Sequence, residues 1–122
     1  MIIGIGVDIV QIARIREVHE RQGDTFISRV FSKAEAAFCM QRKDPYPCLA
    51  ARFAAKEAFI KALPGPAPAL SDICVISGED GQPSIDSGGT IKDILASAGA
   101  SRIHLSLSHE RDNAVAFVVI ES

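Results

Sequence analysis

Arg52-Phe53-Ala54-Ala55-Lys56-Glu57-Ala58-Phe59-Ile60-Lys61-Ala62-Leu63 is the stretch whose reading decides the fold. In a helix over this run, Glu57 and Lys61 lie four residues apart and put a carboxylate and an ammonium on one face. Ala55, Phe59, Ala62 and Leu63 recur at helical spacing on another stripe, and burial of that stripe fixes where the charged pair points. The small side chains of Ala54, Ala55 and Ala58 leave room for something bulky to approach. The helix has clear limits: Asp44-Pro45 and Tyr46-Pro47 force a loop before it, Pro47 suits its first residue, and Pro64-Gly65-Pro66-Ala67-Pro68 ends it.

On the N-terminal side, Ile2 to Val10 reads as a central strand ending near Asp8, with Gly4 and Gly6 allowing close backbone approach. Ile12, Ile15, Val18 and His19 then recur at helical spacing between Arg14, Arg16, Glu17, Glu20 and Arg21, predicting an amphipathic helix with a largely basic outer face that stops at Gly23. A link carrying Phe26, Ile27, Val30 and Phe31 follows. Ser32-Lys33-Ala34-Glu35 is a capping box opening a short helix to about Gln41. On the C-terminal side, Ile73 to Ser77 and Pro83 to Asp86 flank a turn from Gly78 to Gly81 and predict a hairpin. Thr90 to Ala98 predicts a short helix closed by Gly99, and Ile103, Leu105 and Leu107 alternate with polar residues in a strand that ends at His109. Asp112-Asn113 turns into a final apolar strand, Ala114 to Ile120, expected to pair antiparallel with its predecessor. The interleaving predicts one α+β domain over residues 1–122, an antiparallel sheet packed with a long central helix.

Composition narrows the function. With 48% hydrophobic residues in 122, the chain can bury its own core. The net charge is only −2, but it is uneven: +3 up to Leu63 and −5 beyond it. The basic half is the expected partner surface, and the absence of Lys/Arg clusters or tandem aromatics argues against nucleic acid. MIIGIGVDIV lacks a basic leader and is broken by Gly4, Gly6 and Asp8, so neither a signal peptide nor a membrane anchor is expected. Three cysteines without CxxC spacing, Cys39, Cys48 and Cys74, read as reduced, mostly buried thiols in a cytoplasmic protein.

Each candidate side chain carries two readings. Asp8, a carboxylate in an apolar strand, is either a cap for the following helix or a metal ligand, because an unpaired buried charge is costly. For Glu57 the ordinary role is a surface ion pair with Lys61, worth about 0.3–0.5 kcal/mol. The alternative joins it to Asp8 as the carboxylate pair that Mg²⁺ needs beside a phosphate ligand. His109 is either structural or a phosphate contact.

GIGVDIV followed by Ile12 and Arg14, Arg29-Val30-Phe31-Ser32 with Glu35, RFAAKEAFIKAL, Gly81-Gln82-Pro83, and LSLSHE with Ala114 and Ala116 stand in the order seen in holo-[acyl-carrier-protein] synthases. The chain resembles this short bacterial type of 4′-phosphopantetheinyl transferase over nearly its whole length. The resemblance implies transfer of 4′-phosphopantetheine from coenzyme A to a serine of apo acyl carrier protein, releasing adenosine 3′,5′-bisphosphate in support of fatty acid synthesis. It implies that Asp8 and Glu57 hold Mg²⁺ and that Lys61 neutralises or protonates the leaving phosphate; on physical grounds Glu57, directly or through a metal-bound water, is the group expected to draw the serine proton. Arg52, Gly81, Pro83 and His109 would contact the nucleotide end, and Arg14 and Arg21 would seat the acidic carrier. It also implies a homotrimer with sites between subunits, Asp8 facing the Glu57 helix of a neighbour. The chain departs from the family at Pro64, Pro66 and Pro68, where a more glycine-like exit is usual. Two other classes fit the residues alone: a metal-dependent hydrolase of a pyrophosphate-bearing nucleotide and a non-catalytic carrier-docking module.

Overall fold

A computed structural model describes all 122 residues, Met1–Ser122. The β-branched N-terminus forms β1 (Ile2–Gln11), followed by α1 (Ile12–Gln22), α2 (Asp24–Val30), α3 (Lys33–Met40) and the long α4 (Tyr46–Ala62). The proline-dense exit leads through a single 3₁₀ turn at Leu70–Asp72 into the hairpin of β2 (Val75–Ser77) and β3 (Pro83–Ile85). Then come α5 (Gly89–Ser97), β4 (Arg102–His109) and β5 (Asn113–Glu121). β5, not β1 as expected, is the central strand, antiparallel to both β1 and β4 in the order β1-β5-β4, because the C-terminal strand inserts beside β1 and leaves it at the sheet edge.

Three local expectations are corrected. β1 continues three residues past Asp8, because Ile9, Val10 and Gln11 keep pairing with Val115, Ala114 and Asn113; Asp8 therefore sits within the strand, and Gln11, not Asp8, precedes α1. The link after Gly23 is a helix, α2, since Phe26 and Val30, four residues apart, are both buried. Cys39 and Cys48 are not free thiols: the short connection between α3 and α4 brings their Cα atoms to 5.5 Å and they form a disulfide, leaving Cys74 alone unpaired. The capping box is present as read, Ser32 Oγ accepting from Glu35 N and Glu35 Oε1 from Ser32 N.

α4 crosses the sheet through small residues. Gly4 and Gly6 project toward it with no side chain, and a Cβ on Gly6 would lie 1.8 Å from the carbonyl oxygen of Ala58, as one on Gly4 would from that of Ala62. Ala54, Ala55, Ala58 and Phe59 are completely buried there. This contact positions the site, because Asp8 is the next residue beyond Gly6 on the same face of β1 and Glu57 and Lys61 flank Ala58 on α4. Gly6→Ala is expected to cost about 3 kcal/mol or more, since the obstructing atom is backbone and cannot swing aside. Gly65→Ala, at a position with open space around it, is expected to stay within about 0.5 kcal/mol. Urea unfolding midpoints of the two variants check the contrast.

The opposite face of the sheet is uncovered. Ile5 (57% exposed), Val7 (53%) and Ile9 (68%) on β1 stand in register with Val119, Phe117 (45%) and Val115 on β5. Beside them on β4 are His104, Ser106 and Ser108, and His104 bonds Glu121 across the strand pair. An apolar patch of this kind on an isolated chain marks an interaction surface.

Candidate active site

Two grooves flank α4. Arg52 and Glu57, five residues apart, point about 140° from each other around the helix axis. The grooves they line share no residue.

The first groove is lined by Asp8, Glu57 and Arg14, with Phe53, Phe26 and Val18 forming its apolar wall. Asp8 and Glu57 therefore line one groove of a single chain. Lys61 does not pair with Glu57. Its Nζ lies 3.0 Å from Asp8 Oδ1 and donates to the Val7 carbonyl at 3.1 Å, because β1 passes beneath the last turn of α4 and brings both acceptors within reach of the lysine. The Lys61 side chain is 54% exposed and free to turn, whereas Glu57 is half-buried and makes no ion pair. No group of three or more His, Cys, Asp or Glu side chains gathers anywhere in the chain. The donor set is thus two hard carboxylates, which suits an ion that takes its remaining ligands from water and phosphate oxygens. Arg14 borders this groove from α1, while Arg21 lies exposed in the last turn of the same helix and does not line it.

The second groove, of roughly 650 Å³ and roomy enough for a nucleotide, brings Arg52, Gly81, Pro83 and His109 together from α4, the hairpin and the end of β4. Gly81 makes the turn possible with φ +81°, a left-handed conformation that favours glycine. Arg52 is 94% buried by its relative exposure of 6%, yet no carboxylate pairs with it. Its Nη1 donates to Cys48 Sγ and its Nη2 to Ser77 Oγ, both at 3.3 Å, and the guanidinium lies 4.5 Å from the Phe38 ring centre. Its Nε has no partner. Burial lowers the Arg52 pKa from its ordinary value, opposed by the charge of Glu35. A desolvated cation that lines a groove and has no carboxylate partner is a receptor for an anion. His109, at the mouth, also touches the hollow beside Ile9, where the groove meets the open sheet face.

Phe38, Arg42 and Ser77 line this groove too, and sequence reasoning did not find them. Phe38 and Arg42 sit in and beside a short helix whose pattern signals no ligand, and Ser77 is brought to Arg52 only by the hairpin's packing. Glu35 was read as a cap alone, but it also accepts from Val75 N at 2.9 Å and pairs with Lys56.

The fold and these grooves define a class. The chain belongs to the 4′-phosphopantetheinyl transferase superfamily, whose family profile matches residues 4–118. It is 43% identical to the holo-[acyl-carrier-protein] synthase of Halothermothrix orenii, over 99% of this chain and 98% of that protein. It is 46% identical to that of Clavibacter michiganensis, over 99% and 97%. The Neisseria meningitidis holo-[acyl-carrier-protein] synthase superposes with a TM-score of 0.92 at 37% identity, covering all of both chains. The Helicobacter pylori enzyme solved in complex with coenzyme A gives 0.84 at 31% identity, covering 96% and 99%. Within the superfamily, the chain is an enzyme of the holo-[acyl-carrier-protein] synthase kind. No helix is long and apolar enough to cross a membrane.

Proposed function

We propose that the enzyme moves 4′-phosphopantetheine from coenzyme A to a serine of apo acyl carrier protein, with Mg²⁺, and works in the cytoplasm for fatty acid synthesis. The observation that carries this is the meeting of Asp8 and Glu57 in one groove with Lys61 and Arg14 beside them. Asp8 and Glu57 would hold the Mg²⁺, which when bound offsets negative charge on a diphosphate. Glu57 accepts the proton of the carrier's serine as its oxygen bonds to the phosphorus bearing pantetheine. The P–O bond to the adenosine half breaks, and adenosine 3′,5′-bisphosphate leaves. Lys61, on a side chain free to turn from Asp8, counters the charge that builds on the leaving phosphate. Positioning and charge do most of the work in such a transfer.

Arg52, Gly81, Pro83 and His109 receive the nucleotide end. Because their groove and the Asp8 groove lie on different sides of α4, one ligand reaches both when a second copy apposes its Arg52 groove to the first copy's Asp8 groove. The exposed apolar face of Ile5, Val7, Ile9 and Phe117 supports such an assembly, read as a homotrimer.

Incubation with coenzyme A, Mg²⁺ and an apo carrier should raise the carrier's intact mass by one phosphopantetheine. No gain with several carriers overturns the reading, and coenzyme turnover without any carrier would favour a hydrolase. An acidic carrier would seat on the basic face of α1, with Arg14 at the groove edge and Arg21 a helix-length away. Arg14→Glu is expected to raise the KM for the carrier roughly tenfold, and the parent's KM to climb steeply with salt. An unchanged carrier KM in the variant removes α1 from the docking account.

A further inference from the structure

Lys56 is a charged residue for which the proposed chemistry has no use, and its side chain is fully buried. Its Nζ lies 2.7 Å from Glu35 Oε1 and donates to the carbonyls of Leu70, at 2.9 Å, and of Ile73. Those three acceptors match the three protons of an ammonium. Glu35 is equally engaged, taking Ser32 N and Lys56 on Oε1 and Val75 N on Oε2, the latter at 2.9 Å. Burial lowers the Lys56 pKa, and the charge and hydrogen bond of Glu35 oppose that shift.

A buried ion pair is a weak source of stability, because apolar residues of similar volume often serve as well. A second reason for keeping it lies one helical turn away. Arg52 precedes Lys56 by four residues, so both cations project from one face of α4. Glu35 is the sole buried acidic residue of the chain, and its charge is already felt at Arg52. Left without Lys56, a desolvated carboxylate would be drawn to the nearest cation.

We infer that Lys56 is a positioning residue: by closing Glu35 into a saturated pair, it keeps that carboxylate off Arg52 and leaves the Arg52 guanidinium for a phosphate-bearing ligand. This rests on the reading that the Arg52 groove takes the nucleotide end of coenzyme A.

The test compares Lys56→Met, Glu35→Gln and the double variant, measuring KM for coenzyme A, kcat and melting temperature, with Arg52→Ala as reference. Lys56→Met frees the carboxylate and is expected to raise KM for coenzyme A roughly tenfold with kcat within about twofold. Glu35→Gln and the double variant leave no carboxylate to compete, and both are expected to hold KM within about twofold of the parent while melting lower. A purely structural pair would instead make KM follow the loss of stability across all three. If Lys56→Met does not fold, the double variant still decides: a tenfold higher KM than in Glu35→Gln shows that Lys56 acts without reference to the carboxylate and overturns the inference. So does an unchanged KM in folded Lys56→Met. If Arg52→Ala itself leaves KM unchanged, the groove's assignment fails, and not this inference alone.

Discussion

Glu57→Ala and Asp8→Ala are each expected to lower turnover by about a thousandfold or more, equivalent to about 4 kcal/mol of transition-state stabilisation. The size follows from the proposed donor set: with only two carboxylates in the groove, losing either would leave a single protein ligand, and Glu57→Ala would also remove the group proposed to accept the serine proton. Stability is expected to separate from activity. Glu57 makes no ion pair in the fold, so its loss stays within about 0.5 kcal/mol. Asp8→Ala deprives Lys61 of an ion-pair partner, but that ammonium is half-exposed and the cost stays below about 1 kcal/mol. Initial rates across a Mg²⁺ titration, beside thermal melts, check both. Full recovery at high Mg²⁺, or a loss smaller than tenfold, would argue against direct ligation.

The second large effect is complementation. If one active site takes Asp8 from one copy and Arg52 from the next, Asp8→Ala and Arg52→Ala are each nearly inactive at low coenzyme A. Co-refolded one to one, they regain activity, because a quarter of the interfaces pair two intact halves by chance. The mixture should therefore recover roughly one quarter of the parent rate. A site built within a single copy predicts no recovery above the sum of the two variants. Phe117→Asp, which puts a charge into the open apolar face, should leave a monomer by light scattering and abolish activity with it. A Phe117→Asp monomer that keeps its rate, or a mixture that recovers nothing, removes the shared site.

Much of this arrangement was legible from local patterns. RFAAKEAFIKAL, the Ser32–Glu35 capping box and the glycines of β1 predicted α4, α3 and the close crossing, because each rests on spacing or on backbone conformation. The hairpin and the β4–β5 pairing followed from alternation and turn residues. What local pattern missed depended on contacts between distant elements. Glu57 and Lys61 at helical spacing looked like a pair, but β1 delivered Asp8 and the Val7 carbonyl to the lysine. The two cysteines, nine residues apart, looked like separate thiols until the turn between α3 and α4 brought them together.

By itself the chain's order of residues determined most of the helices and strands, the β2–β3 and β4–β5 pairings and the identity of the polar side chains able to do chemistry, since propensity, periodicity and capping act over a few neighbours. Only the tertiary structure decided which of those side chains meet. It set Asp8 against Glu57, left Arg52 buried without a carboxylate, sealed Lys56 to Glu35 and exposed one apolar sheet face. The first of those outcomes depends on how α4 seats across Gly4 and Gly6, and the surroundings of Arg52 and Lys56 on how α3 and the hairpin pack against α4, long-range packing that no short window of sequence contains.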